Sequence, residues 1–370
     1  MWVSRHPVRM ARDVGALAPP VVLTVVVPAY QCARMLTAAL DGLVGSDLPR
    51  SAWELIIVDD GSTDDTAGIA ARCADTVLRV LDGPRGPAHA RNLGAIAARG
   101  DLLVFVDADV VVARSTLRGF AELLHAEPGL TAVFGAYDDS PADPGVVSRY
   151  RNLLHHYVHV RHAGESLTFW AGCGAIRRDA FLRVGGFDAQ RYRRPQVEDI
   201  ELGYRLRDAG GHIRLVPCLT GTHLKRWSLA GMLRSDFLDR AVPWTELLLE
   251  RRTIAADSTL NLAPREKVCT ACAGVAAATM VTGALTSSVV WLWPTLGCLG
   301  VIIMGNAPLF AFFSARYGWG FALLTVPLRV LFYGVSALGA AWALVFGGWR
   351  RGPRSALPTL QADRSGPGFT

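Results

Sequence analysis

The chain has 370 residues, 51% of them hydrophobic and 19% charged, with a formal net charge of +6 at pH 7; that is enough for an ordinary catalytic domain with roughly a hundred residues to spare. Its mean hydropathy is positive, high for a purely soluble enzyme, and the apolar excess is concentrated beyond Lys267, as is nearly all of the basic excess. The near-neutral part before Lys267 shows no basic stripe interleaved with aromatics, which excludes nucleic acid as the implied partner, and seven cysteines at scattered spacing exclude a disulfide framework.

Residues 1–20 carry Arg5, Arg9 and Arg12 without an apolar core behind them, so they are expected to form a tail and not a secretory signal, leaving the catalytic part cytoplasmic. Residues 21–30, "VVLTVVVPAY", are a β-branched run ended by proline, after which Met35, Leu36, Ala39, Leu40 and Leu43 recur at helical spacing. "WELIIVDDGS" is a second strand, closed by Asp59, Asp60 and Gly61, and residues 63–74 are helical again. "TVLRVL" gives a third strand, and "GPRGPAHARNLGAIAARG" is a loop feeding a helix. "VFVDADVVV", residues 104–112, reads as a fourth strand. This order predicts a parallel, doubly wound α/β sheet with ligands beyond the carboxyl ends of the strands. Asp59, Asp60, Asp107 and Asp109 all fall at such ends and are expected to share one cleft.

An ionised carboxylate inside an apolar run is costly unless paired or metal-bound. Asp107 and Asp109, two apart, either terminate the strand or face one side and hold a hard divalent cation that bridges a diphosphate. Further on, "YDDSPADPG" is a turn-rich acidic loop. His155, His159 and His162 share a helical face, but no cysteine or carboxylate accompanies them; a solvated or acceptor-facing surface is expected there, not zinc.

The ordered set "VVVPAY", "IIVDDGSTDDT", "GPAHARNLGA" and "VFVDADVVV", followed by "FWAGCGAIRRDAFLRVGGFD", "VEDIELGYRLRDAG" and "GTHLKRW", resembles the family 2 glycosyltransferases. That resemblance implies a GT-A fold, Rossmann-like with a mostly parallel sheet, and a membrane-anchored, inverting enzyme dependent on Mg2+ or Mn2+. Residues 21–115 would be the nucleotide-sugar-binding half and 116–228 the acceptor and catalytic half. Pro28, Ala29 and Tyr30 would line the base and ribose, and Asp60 would accept a hydrogen bond from a uracil-like base, favouring a UDP-sugar over a GDP- or TDP-sugar. Arg91 would lie against the diphosphate. Asp107 would sit near the ribose and metal, Asp109 would ligate the metal, and His223 could complete the metal or the diphosphate site. Inversion needs a carboxylate to take the acceptor's proton, and the resemblance gives that role to Asp199, with Glu198 and Trp170 on the acceptor side. "HLKRW" is similar to the Q-x-x-R-W of processive synthases, with Arg226 toward phosphate and Trp227 as a sugar platform. His223 in place of Gln, and the small number of spans, argue for one sugar per acceptor.

Residues 229–265 alternate leucines and aromatics with arginines, as in a helix broken at Pro243 and lying along a bilayer surface. Residues 266–349 form the membrane region, since no Asp, Glu, Lys or Arg occurs from 268 to 315. Cys269 and Cys272 form a CxxC in its first span, where packing by small residues, not zinc, is expected. Arg251, Arg252, Arg265 and Lys267 before that span place the catalytic domain on the cytoplasmic side of the cell membrane. Two or three spans fit, because 321–328 can be re-entrant or interfacial. Residues 350–370 read as a disordered tail. The expected activity is transfer of a sugar to a hydroxyl of a lipid or lipid-linked acceptor. The rivals are a polyprenyl-phosphate sugar synthase, a nucleotidyltransferase and a catalytically inactive nucleotide-binding scaffold.

Overall fold

A computed structural model describes residues 23–252 and 262–347; the expected tails over 1–20 and 350–370 lie outside the described residues, as do 253–261 of the amphipathic segment. The first β-branched run becomes β1 (Leu23–Ala29), flanked in parallel by β2 (Trp53–Asp59) and β4 (Leu102–Val106), with β3 (Thr76–Arg79) beyond β2. Every residue of β2 and β4 is buried, because helices cover both faces, as parallel sheets require. Alternate residues serve the two sides. Val25 and Val27 join Leu36, Leu40 and Leu43 of α1 (Ala33–Val44) on one face. Val26, Ile56 and Phe105 join Ala88, Ala90 and Ala95 of α3 (Pro87–Ala97) on the other. The helix expected over 63–74 is only α2 (Thr66–Ala70). Its leading residues are taken up in a turn where Asp64 accepts from the backbone of Ala33 and Thr66.

Beyond β4 the sheet ceases to be parallel. The "VFVDADVVV" run is not one strand: β4 stops at Val106, the chain turns through Asp107 and Asp109 with Val110 N donating to Asp107 O (3.0 Å), and β5 (Val110–Val112) starts elsewhere in the sheet. Two acids cannot ride inside a buried strand, and the chain breaks where they fall. Between the two pieces lie β8 (Cys173–Arg177), β6 (Leu130–Tyr137) and β9 (His212–His223), giving the order β3-β2-β1-β4-β8-β6-β9-β5; β7 (Gly164–Ser166) pairs with β9. β8 runs antiparallel to both β4 and β6, β6 is parallel to β9, and β5 is antiparallel to β9. Helices α4 (Thr116–Ala126), α5 (Val146–Arg161), α6 (Arg178–Arg183) and α7 (Glu198–Asp208) complete this mixed α/β layer structure.

The amphipathic segment forms α8 (Leu229–Ser235), a π-helical stretch (Asp236–Ala241) and α9 (Val242–Arg251). The chain does not break at Pro243. The widened turn precedes it, so the proline enters in the first turn of α9, where its missing N–H costs nothing. Leu247 and Leu248 pack on Tyr192, Val197 and Tyr204, and Arg251 pairs with Asp208, so this segment is bound to the catalytic layers.

Three helices follow: α10 (Pro264–Thr286), α11 (Leu292–Gly305) and α12 (Ala307–Phe346), the last interrupted at Gly318. α10 and α12 are long and apolar enough to cross a membrane by length and composition. α11, with 14 residues, reaches about 21 Å at 1.5 Å per residue, short of a hydrocarbon core of about 30 Å. Phe321, Ala322 and Leu328 pack with Leu309 and Phe313 against Tyr150, Leu153 and Tyr157 of α5. The one Arg in the second half of α12, Arg329, is buried and bonded to Glu266 (2.6 Å), Asn306 (2.8 Å) and Tyr333 (2.7 Å). Cys269 packs beside Asn306, and all seven cysteines are free thiols.

Candidate active site

The turn after β4 sends its two acids to different partners. Pairing of β5 with β9 sets Val110 opposite His223, and Leu224 N bonds Asp109 O at 2.8 Å. His223 Nε2 therefore lies 3.3 Å from Asp109 Oδ2. Burial pushes the Asp109 carboxyl up, but the hydrogen bond and charge of His223, followed by Lys225, outweigh it and hold the group below its usual range. Neighbouring ligands of an octahedral cation at 2.0–2.2 Å are separated by about 3 Å, so this pair fits a divalent cation as two adjacent ligands. Among the described residues no three His, Cys, Asp or Glu side chains gather as a ligand set. Asp109 and His223 would therefore be the protein groups that hold such a cation, and its charge would offset that of a bound diphosphate.

Asp107 is engaged differently. Its Oδ1 accepts from Arg91 Nη2 at 2.7 Å, and its backbone N–H donates to Gly172 O at 3.1 Å. Arg91, placed by the sequence against a diphosphate, is buried; its Nη1 donates to Glu198 Oε1 at 2.9 Å. Glu198 in turn accepts from Gln196 N at 2.7 Å. Arg91 and Glu198 are thus a buried brace between the turn at Asp107 and the start of α7, not groups open to a ligand.

Asp199, in the first turn of α7, accepts from Ala171 N (3.2 Å) through Oδ2 and from Ile200 N (2.8 Å) through Oδ1. Its position depends on close approach of α7 to the segment before β8: a Cβ on Gly203 would come within 2.4 Å of Phe169 N. Residues 171 and 172 therefore hold both sides of the cleft, Ala171 through Asp199 and Gly172 through Asp107. Burial, and after it the negative charge of Glu198, push the Asp199 carboxyl up to about 7. In the base role that the resemblance gives Asp199 the group works only when deprotonated, and that role predicts transfer falling about tenfold per unit as pH drops below 7. Glu198→Gln removes the like charge and should move this acid limb to lower pH; a kcat–pH profile of both proteins checks it.

At the donor end, Ala29 is buried, Pro28 half-buried and Tyr30 48% exposed at the tip of β1. Asp60 is buried and its carboxylate is already used within the protein, accepting from Arg85 N (2.9 and 3.0 Å) and Gly86 N (2.7 Å). It shapes the loop at Gly86, whose φ of +98° and approach to Arg193 O suit only glycine. Asp59 is fully buried and accepts from Ser62 N.

On the acceptor side, Trp170 lies across Gly172, with its ring 4.9 Å from Tyr137 and 4.6 Å from His155. Trp227 differs from the expected sugar platform: Lys225 Nζ is 4.2 Å and the Arg151 guanidinium 5.4 Å from its ring, and it packs beside the α5–α12 cluster. Arg226 is 87% exposed and faces Asp143 at 3.8 Å. His159 is buried and His155 half-buried, their ring centroids 3.9 Å apart. Burial, then neighbouring histidines, hold His155 well below the usual imidazole range, and burial takes His159 to about 4. Tyr137, read from the sequence as the start of the acidic loop "YDDSPADPG", is the last residue of β6 and belongs with these rings, because its partners come from β9, α5 and the segment before β8.

Residues 24–185 match the glycosyl transferase family 2 model. The validoxylamine A glucosyltransferase of Streptomyces hygroscopicus subsp. jinggangensis is 29% identical over 229 residues, covering 53% of this chain and 54% of that protein. The pre-mycofactocin glycosyltransferase of Mycobacterium tuberculosis is 31% identical over 225 residues, 56% of this chain and 43% of that one. The chain thus spans about half the length of these curated relatives. A mannosyltransferase from Pyrobaculum calidifontis, solved with GDP-Man and Mn2+, shares the fold at a TM-score of 0.52 and 19% identity, covering 86% of this chain and 87% of that one. With motifs, mixed sheet and family model in agreement, residues 24–185 are a family 2 glycosyltransferase domain on a GT-A fold.

Proposed function

We propose that the protein is a metal-dependent, inverting glycosyltransferase that moves one sugar from a nucleoside-diphosphate sugar to a hydroxyl of a lipid or lipid-linked acceptor at a membrane. The observation that carries this reading is the placement of the Asp109–His223 pair and the raised carboxylate of Asp199 around one short segment, with Arg91 and Glu198 bracing the two sides. A divalent cation held by Asp109 and His223 would neutralise charge on the leaving diphosphate. Asp199 accepts the proton of the acceptor hydroxyl as that oxygen attacks the anomeric carbon. The fixed backbone donors at Ala171 and Ile200 keep its carboxylate aimed, so little orientation is lost at the moment of reaction.

Membrane placement is supported by exposed apolar side chains on α10 to α12, among them Met280, Leu285, Trp293, Met304, Leu338 and Val345. Packing of α12 on α5 sets the catalytic layers directly against those helices; the basic residues Arg251, Arg252, Arg265 and Lys267 ahead of the apolar stretch support a cytoplasmic face for the domain. Detergent-solubilised protein given UDP-, GDP- and TDP-sugars with Mg2+ or Mn2+ tests the reading. One nucleoside diphosphate released in a metal-dependent way is the expected result. Pyrophosphate release would replace the reading with a nucleotidyltransferase, and no release from any donor with the chain's acceptor fraction supplied would favour a non-catalytic binder.

A further inference from the structure

Beside the proposed metal pair lies a layer of rings that none of the steps above uses. Tyr137, the last residue of β6, stacks on His223 with centroids 4.4 Å apart and planes 10° from parallel. The same ring lies 4.3 Å from His155 of α5, and the Trp170 indole closes edge-on at 4.9 Å. The backbone makes this stack. β6 and β9 run parallel and end together, with Tyr137 in register with Gly221, two positions before His223. Asp138 N also bonds Gly221 O at 3.0 Å, and His156 Nδ1 lies 2.8 Å from Tyr137 O, so the tyrosine is pinned from both β9 and α5.

An imidazole that ligates a metal must present its nitrogen along one direction, and groups outside the ligand set normally fix the ring. Here a face-to-face aromatic contact is in position to do so. The geometry points to Tyr137 as a positioning residue that fixes the plane of the His223 imidazole, so that Nε2 and the Asp109 carboxylate converge on one divalent cation. Trp170 and His155 support it from behind. This inference rests on the metal reading proposed above. It also gives Trp170 a second task, tying the acceptor side of the cleft to the cation side through one ring.

The test measures Mn2+ binding by the EPR signal of the free ion, on the full chain in detergent with saturating UDP and, in a parallel arm, GDP. Tyr137→Leu is expected to weaken Mn2+ binding about tenfold or more, the range for losing a group that orients a ligand. Tyr137→Phe, which keeps the ring, is expected to stay within about twofold of the parent. In a His223→Ala background, Tyr137→Leu is expected to add nothing, because its effect passes through the imidazole. Tyr137→Met serves in place of leucine if that variant does not fold, with the same expectation. Unchanged Mn2+ affinity in Tyr137→Leu, or an equal further loss in the His223→Ala background, overturns the inference while leaving the metal site standing. No Mn2+ binding by the parent in either arm overturns the metal reading and the inference with it.

Discussion

Asp199→Asn is expected to lower kcat for transfer to a hydroxyl by about 10²- to 10⁴-fold, the usual contribution of a positioned general base. The amide cannot take the acceptor's proton, although it occupies the same space at the start of α7. Its donor side is untouched, since Asp199 contacts Ala171 N and Ile200 N and not the Asp109–His223 pair. Binding of Mn2+ with nucleoside diphosphate should therefore match the parent, and the loss should appear in kcat at saturating donor. A carboxyl raised to about 7 is suited to this work at neutral pH, being ionised in about half of the molecules and far more basic than an ordinary carboxylate. The test also separates the two acceptor chemistries. A phosphate acceptor arrives already ionised and needs no base, so a loss of less than about tenfold would move the reading to a polyprenyl-phosphate sugar synthase.

Asp109→Ala is expected to remove most of the metal-dependent activity, lowering kcat/KM about 10³-fold, because a cation at a leaving diphosphate supplies several kcal/mol of transition-state stabilisation. His223 alone would remain as a protein ligand, and Mn2+ titration should show binding lost even at millimolar metal. Chelator should abolish turnover by the parent but change the residual rate of Asp109→Ala little. Asp107→Asn makes a useful contrast. It weakens one of the two ion pairs of buried Arg91 and leaves Glu198 as its remaining charged partner, so its effect should include a lower melting temperature. Equal turnover by Asp109→Ala and the parent would remove the metal from the mechanism.

The candidate acids were legible in the sequence because each sits where a β-branched run ends, and a parallel sheet delivers such ends to one edge. Asp199 was legible only through resemblance, since an E-D pair opening a helix has no meaning of its own without the motifs upstream. The surroundings of Arg91 were not legible for a physical reason. Nothing in "GPAHARNLGA" shows that two carboxylates distant in sequence, Asp107 and Glu198, bond its guanidinium from inside the protein. Trp227 looked like a sugar platform for a similar reason, because nothing in "HLKRW" tells that Arg151 of α5 and Lys225 will lie against its ring.

By itself the sequence determined the α/β order of the first half, the turn-ending aspartates, and an apolar region free of Asp, Glu, Lys and Arg from 268 to 315, because β-branched runs, turn residues and apolar length are local properties of the chain. Only the tertiary structure decided how the last acid-bearing run divides into β4 and β5, why Asp109 meets His223 while Asp107 meets Arg91, and what raises the Asp199 carboxyl. Those outcomes depend on β8, β6 and β9 entering the sheet between the two halves of one short stretch. Pairing between strands remote in sequence sets them, and no local pattern carries that information.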